Sequence, residues 1–185
     1  IDAGANIEGD AGLLAQFAVM GSVYNKGILH NPSPLVGLLS VGEEDTKGNE
    51  VTKEAFRILS GSKLNFMGNI EGHDLFEGDV DVVVCDGFVG NVVLKVSESI
   101  ADVIGKLLKQ ELKKSIMTQL GALLAKPAFD ALKKEVDYSE YGGAPLLGVN
   151  GLVLISHGRS SPKAIKHAIR AAIREVEHDL LSKLK

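Results

Sequence analysis

Residues 35–60 read LVGLLSVGEEDTKGNEVTKEAFRILS. An apolar run of strand length, 35–42, passes into a loop of glycine and polar residues, and 50–60 predicts a short helix. A strand, a glycine-bearing loop and a helix in immediate succession form the repeating unit of a parallel α/β fold. The loop itself comes near a nucleotide-binding P-loop and departs from it. Gly42, Lys47 and Gly48 stand in the order G-x-x-x-x-K-G-N, and no Ser or Thr follows the lysine.

The same alternation extends in both directions. Leu13, Leu14, Phe17, Ala18, Met20, Gly21 and Tyr24 form a helical stripe behind Asp10, a plausible N-cap. NPSP at 31–34 reads as a loop. Further strands are predicted at 64–67, 81–85 and 152–156, a long helix from about 90 to 114, and a last helix over about 162–183. In a parallel sheet all strand-to-helix loops leave at one edge. GAN (4–6), GEEDTKGN (42–49), GNIEG (68–72), DGFVGN (86–91) and SHGRSS (156–161) are therefore expected to converge on one crevice.

The 185 residues are 45% hydrophobic, enough for a sizeable core. A net charge of −4 argues against a dedicated nucleic-acid binder. The single cysteine, Cys85, excludes an internal disulfide and fits a reducing cytoplasm. Cys85 follows Val82–Val84 with no adjoining basic residue, which favours a buried strand residue over a nucleophile. No run reaches the roughly 18 apolar residues of a membrane span, and no signal peptide is recognisable. The opening IDAGAN looks like the end of a strand and its turn, so the chain is expected to be a piece of a longer protein.

Glycine loops at helix N-termini suit anions, because free N–H groups and the positive end of the helix dipole face the ligand. Thr46, Lys47, Gly48 and Asn49 supply a hydroxyl, a charge, close backbone approach and an amide, which fits a small tetrahedral oxyanion such as inorganic phosphate. Taken alone, this loop is more simply a capped turn with a solvated lysine. The neighbouring loops add His157 and Arg159, an imidazole and a planar cation, together with Asn91 and Asn6. Together they describe a site that binds an anion and polarises a carbonyl. Asp86 reads as a cap or turn residue. There is no dinucleotide fingerprint, no nucleophile elbow and no run with metal-ligand spacing, so neither a cofactor nor a metal is expected.

DAGAN (2–6), QFAVMGSVY (16–24), VGLLSVGEEDTKGNE (36–50), DVVVCDGFVGNVVLK (81–95), DYSEYGGAPLLGVNG (137–151) and SHGRS (156–160), in this order, closely resemble the bacterial phosphate acyltransferases of the PlsX family of fatty acid/phospholipid synthesis proteins. The resemblance covers the C-terminal part of that family's usual length. It implies a three-layer α/β/α sandwich with a mainly parallel sheet, similar to phosphotransacetylases and isocitrate-dehydrogenase-like enzymes. It also implies a homodimer that moves a long acyl chain from acyl-carrier protein to inorganic phosphate. Placed on this chain, that chemistry assigns Lys47, Thr46, Gly48 and Asn49 to phosphate. His157 or Arg159 would serve the oxyanion or the leaving thiolate, and Asn6 and Asn91 would complete the pocket.

Charge sets one further segment apart. Residues 1–100 hold 6 Lys/Arg against 15 Asp/Glu, whereas 101–135 hold 7 against 4. There Ile100, Val103, Ile104, Leu107, Leu108 and Leu112 continue a helical stripe, expected to pack on the core or on a dimer partner. Ile116, Met117, Leu120, Leu123 and Leu124 extend it until Pro127, with Phe129 and Leu132 on a second short helix. This reads as a helical hairpin, about 100–136, leaving the sheet. SIMTQLGALLAKPAF (115–129) carries one charge beside basic neighbours and suits packing on the core or a dimer partner as well as it suits an anionic membrane surface, an acyl chain or the acidic carrier protein. The family's peripheral membrane habit favours the inner face of the membrane. Tyr138 and Tyr141 read as packing residues at the hairpin base. Rival readings are a short-chain phosphotransacylase using coenzyme A, a non-catalytic membrane-docking module and a decarboxylating dehydrogenase.

Overall fold

The structure, a computed structural model, describes residues 1–136, 142–158 and 160–184. Tyr138, Tyr141 and Arg159 lie outside the described residues. The chain forms two compact units, Ile1–Val93 with Leu147–Leu152 and Arg174–Lys185, and Leu94–Leu146 with Val153–Ile173.

The first unit is built on β1 (Val36–Leu39), β2 (Phe66–Ile70) and β3 (Val82–Val84), in the order β2-β1-β3. Both pairings are parallel: Leu38 sits opposite Asn69 on one side and Val84 on the other. The central strand takes the most apolar run, so Val36 and Leu38 are completely buried. Helices α1 (Ala11–Ile28) and α2 (Glu50–Ser60) cover this face. Leu14, Phe17 and Ala18 from α1 and Ala55 and Leu59 from α2 meet Val36, Leu38, Val82 and Val84 in one core. Asp10 caps α1 as expected, its Oδ1 accepting a 2.7 Å bond from the Leu13 N–H. The α/β class predicted from the alternation is the class observed.

Several boundaries move. A four-residue helix, α3 (Asp74–Glu77), follows β2, and β2 itself runs three residues past its predicted end. Gly68, Asn69 and Ile70 are therefore strand residues, held by pairing with β1, and the loop after β2 starts at Glu71. The long helix α4 (Gly87–Leu112) starts inside GFVGN. Asp86 initiates it as its cap, accepting from Val89 N at 2.8 Å.

In the second unit α4 ends where Ser115 and Thr118 form a capping box that starts α5 (Ile116–Leu124), and α6 (Lys126–Val136) follows after one residue. The predicted strand at 152–156 is reduced to β5 (Leu154–Ile155). It pairs antiparallel with β4 (Ala144–Pro145) in a separate two-stranded sheet, not as a fourth parallel strand. Its partner has no strand signature, because two residues are too few to show a period. α7 (Pro162–Glu177) is followed by Asp179 at φ 49, a left-handed conformation that cannot continue a helix, so the predicted last helix is split and α8 (Leu180–Lys183) begins.

Candidate functional site

The C-terminal edge of the three-stranded sheet gathers the segments after β1, β2 and β3. Residues 1–6 join them through the backbone. Ile1 lies along β3, its nitrogen donating to the Val83 carbonyl and its own carbonyl accepting from Cys85 N. The Asn6 carbonyl accepts from Gly87 N at 2.8 Å. The first turn of α4 is thus pressed on this segment with no room for a side chain at Gly87 or Gly90. A Cβ on Gly90 would stand 1.9 Å from the Asp2 carbonyl oxygen. Four of the five loops expected to converge do so in this unit, with the β2 loop shortened as described. SHGRSS belongs to the second unit, where His157 follows β5.

Asp2 organises the first loop. Its carboxylate accepts from the backbone N–H groups of Gly4, Ala5 and Asn6 and from the Asn6 side-chain amide, at 2.8 to 3.0 Å. Partial burial works to raise its pKa. The bonds from Asn6, Ala5 and Gly4 outweigh that and hold the carboxyl below its ordinary value. Asn6, predicted to line the pocket, is thereby committed to this turn. Asn91 packs beside Gly4, whose missing Cβ would lie 3.5 Å from the Asn91 carboxamide carbon. Asn6 and Asn91 therefore flank one small loop. Sequence reasoning passed over Asp2, because an Asx turn resembles any other D-x-G.

The loop after β1 is built differently. Lys47 N donates to the Glu44 carbonyl at 2.9 Å, making a turn that leaves Thr46 and Lys47 exposed. The Lys47 stem crosses Gly42, where a Cβ would meet its Cγ at 2.9 Å, and Lys47 forms no ion pair among the described residues. Gly48 has φ 103, a conformation that favours glycine. Asn49 is the N-cap of α2, its Oδ1 accepting from Thr52 N at 2.9 Å. The amide read as a phosphate ligand is thus engaged through its oxygen in starting the helix. From β2, Asn69 Nδ2 donates to the Glu44 carbonyl at 2.9 Å and ties the loop to the sheet.

Cys85 is buried, and burial pushes its thiol upward. A raised thiol is a poor nucleophile, so Cys85 is the buried residue expected. Residues distant in sequence also bring ligand-type atoms together. Glu43, His73 and Asp74 place one such atom each within 4.8 Å of one another, Glu43 and His73 exposed and Asp74 half-buried. No spacing rule could have found them, since Glu43 and His73 meet only through strand pairing.

Of the apolar hairpin, Leu120, Leu123 and Leu124 are exposed and Phe129 is half-buried. Ile100, Val103, Ile104, Leu107 and Leu108 on α4, expected to pack on the core or on a dimer partner, are also exposed in the single chain. Among the described residues no helix is long and apolar enough to cross a membrane.

The parallel three-stranded sheet with flanking helices places the chain among the α/β sandwich proteins. Comparison with known proteins is more specific. The model of the family described as "Fatty acid synthesis protein" matches residues 1–183, and the chain belongs to that family. The phosphate acyltransferase of Thermodesulfovibrio yellowstonii is 54% identical over 184 residues, 100% of this chain and 53% of that protein. That of Campylobacter fetus is 56% identical over 181 residues, 97% of this chain and 54% of the relative. That of Pelotomaculum thermopropionicum is 54% identical over 185 residues, 100% of this chain and 54% of the relative. The chain spans about half the length of the curated relatives it matches.

Proposed function

We propose that this chain supplies part of a phosphate acyltransferase that moves a long-chain acyl group from acyl-carrier protein to inorganic phosphate, giving acyl phosphate. The observation that carries the reading is the identity of 54–56% with proteins named phosphate acyltransferase across essentially the whole chain. In the reaction a phosphate oxygen attacks the thioester carbonyl. The tetrahedral oxyanion then collapses, a C–O bond has formed, and the C–S bond breaks to release the carrier thiolate. Such a reaction needs positioning and oxyanion stabilisation more than covalent help.

The loop after β1 is assigned to phosphate in this reading. Lys47 offers its exposed ammonium, Gly48 close backbone approach, and α2 the free N–H groups of its first turn. Thr46 stands beside them. Support for a membrane role comes from α5, whose exposed leucines are flanked by Lys113, Lys114 and Lys126. The reading places the protein in the cytoplasm, peripherally on the inner face of the membrane, as a homodimer, with the uncovered α4 stripe available to a partner copy.

Incubation of a full-length protein carrying this chain with palmitoyl-acyl-carrier protein and phosphate, trapping acyl phosphate with hydroxylamine, tests the reading. The Campylobacter fetus enzyme serves as positive control. Product is expected, and Lys47→Ala is expected to raise the phosphate KM about tenfold or more. Turnover only with short-chain acyl-coenzyme A would replace this reading with the coenzyme A one. Binding of carrier protein or vesicles without turnover would favour the docking module.

A further inference from the structure

The loop after β1 adjoins two buried polar atoms. Ser40 Oγ and Asn69 Oδ1 are sealed from solvent and have no hydrogen-bond partner among the described residues. Asn69 is 5% exposed, and its amide nitrogen reaches the Glu44 carbonyl, so its carboxamide faces the loop. Asn69 pairs with Leu38, and Ser40 follows Leu38 by two residues. Alternation along the strands therefore puts both side chains on the face that α1 and α2 cover. A Cβ on Gly48 would stand 3.0 Å from Ser40 Oγ and 2.1 Å from Thr52 Oγ1, so glycine keeps space between two hydroxyls. Just beyond it, the N–H groups of Glu50 and Val51 open α2 without intrahelical partners.

The surroundings restrict what can bind. Glu43, Glu44, Asp45 and Glu50 crowd the loop against a single Lys47. With this charge balance, an anion would have to be held by local N–H and O–H groups and not by net charge, and one that carries its own proton would meet less repulsion. A carbonyl oxygen such as Asn69 Oδ1 accepts hydrogen bonds and donates none. Hydrogen phosphate carries a P–OH at neutral pH, whereas sulfate presents only lone pairs.

We propose that Asn69 is the specificity-determining residue of this oxyanion site: its Oδ1 accepts the P–OH of hydrogen phosphate and thereby rejects sulfate. The proposal rests on the reading of this loop as the phosphate site. In this proposal the bond from Asn69 Nδ2 to the Glu44 carbonyl opens when the ligand enters.

The test is an NMR titration of the 185-residue chain with inorganic phosphate, arsenate and sulfate at constant ionic strength. The Gly48, Asn49, Glu50 and Val51 amides are followed for binding and the Glu44 amide for loop movement. Phosphate and arsenate, which both carry an O–H, are expected to bind about tenfold or more tighter than sulfate. Asn69→Ala is expected to weaken phosphate to the sulfate level, while Asn69→Asp, which keeps an acceptor, retains discrimination. Phosphate and sulfate binding within about twofold of each other overturns the proposal and leaves the oxyanion site standing. Discrimination that survives Asn69→Ala does the same. No response to any of the three at millimolar concentration overturns the oxyanion reading and the proposal together. If Asn69→Ala fails to fold, the comparison of the three anions on the unsubstituted chain decides alone.

Discussion

The carbonyl oxygen of Asp2 stands 1.9 Å from the point where a Cβ on Gly90 would be. Here backbone meets backbone, with Cys85 Sγ 3.1 Å from the same point, so no flexible side chain can give way. Gly90→Ala is expected to destabilise the chain by about 1–3 kcal/mol, read as a lower denaturation midpoint at unchanged slope. An unchanged midpoint would show that residues 1–6 leave α4 at no cost.

Asp2 gives a pH dependence with a definite sign. Its folded pKa lies below the ordinary 3.8 because hydrogen bonds outweigh partial burial. The stability it contributes is present above that ordinary value and is lost as pH falls through the lower folded value. Unfolding free energy measured from about pH 2 to pH 6 is expected to fall more steeply on acidification for the unsubstituted chain than for Asp2→Asn. Parallel curves would remove Asp2 from the acid response.

Glu175 predicts the opposite slope. It is 1% exposed, and neither carboxylate oxygen has a partner among the described residues. Burial raises its pKa, with Arg174 opposing, and burial followed by the Glu175 charge raises Tyr24. Its contribution is fully present below the ordinary 4.5 and is lost as pH rises through the raised folded value. Glu175→Gln is expected to be more stable than the unsubstituted chain at neutral pH, with the difference vanishing under acid conditions. Thermal melts across that range check it, and a destabilised Gln variant at neutral pH would disprove the account.

The α5 surface separates a membrane role from a folding role. Leu120 is 53% exposed and Leu124 84% exposed, so charge placed there meets no core. The double change Leu120→Glu and Leu124→Glu is expected to leave the melting temperature within about 2 °C. Co-sedimentation with vesicles containing anionic lipid should fall at least tenfold, about 1.4 kcal/mol. Undiminished co-sedimentation would place the membrane contact elsewhere or nowhere.

Local chemistry explains how much was legible beforehand. The Asp10 cap, α2 and the role of Asp86 were readable because each depends on residues within one or two turns. The length of β2 was not, because Gly68 and Asn69 carry loop chemistry and become strand only by pairing with β1. The single long C-terminal helix was a reasonable reading of a continuous apolar period, and only the left-handed backbone of Asp179 interrupts it. Asn49 illustrates a deeper ambiguity. An amide ahead of a helix suits a ligand or a cap equally well, and here its oxygen serves the cap.

The sequence by itself determined the alternation of strands and helices, the glycine loops placed at strand ends, the apolar hairpin and the family resemblance. All of these are carried by residues close together in the chain, whose period, caps and turn chemistry need no distant partner. Tertiary structure alone decided that Asn69 reaches the Glu44 carbonyl, that Asp2 lies against Gly90, and that Leu154 pairs antiparallel with Pro145. These contacts depend on which strands pair and in what register. In the first unit that is settled by burying Val36, Leu38, Val82 and Val84 under α1 and α2 in one step, and no local pattern records it.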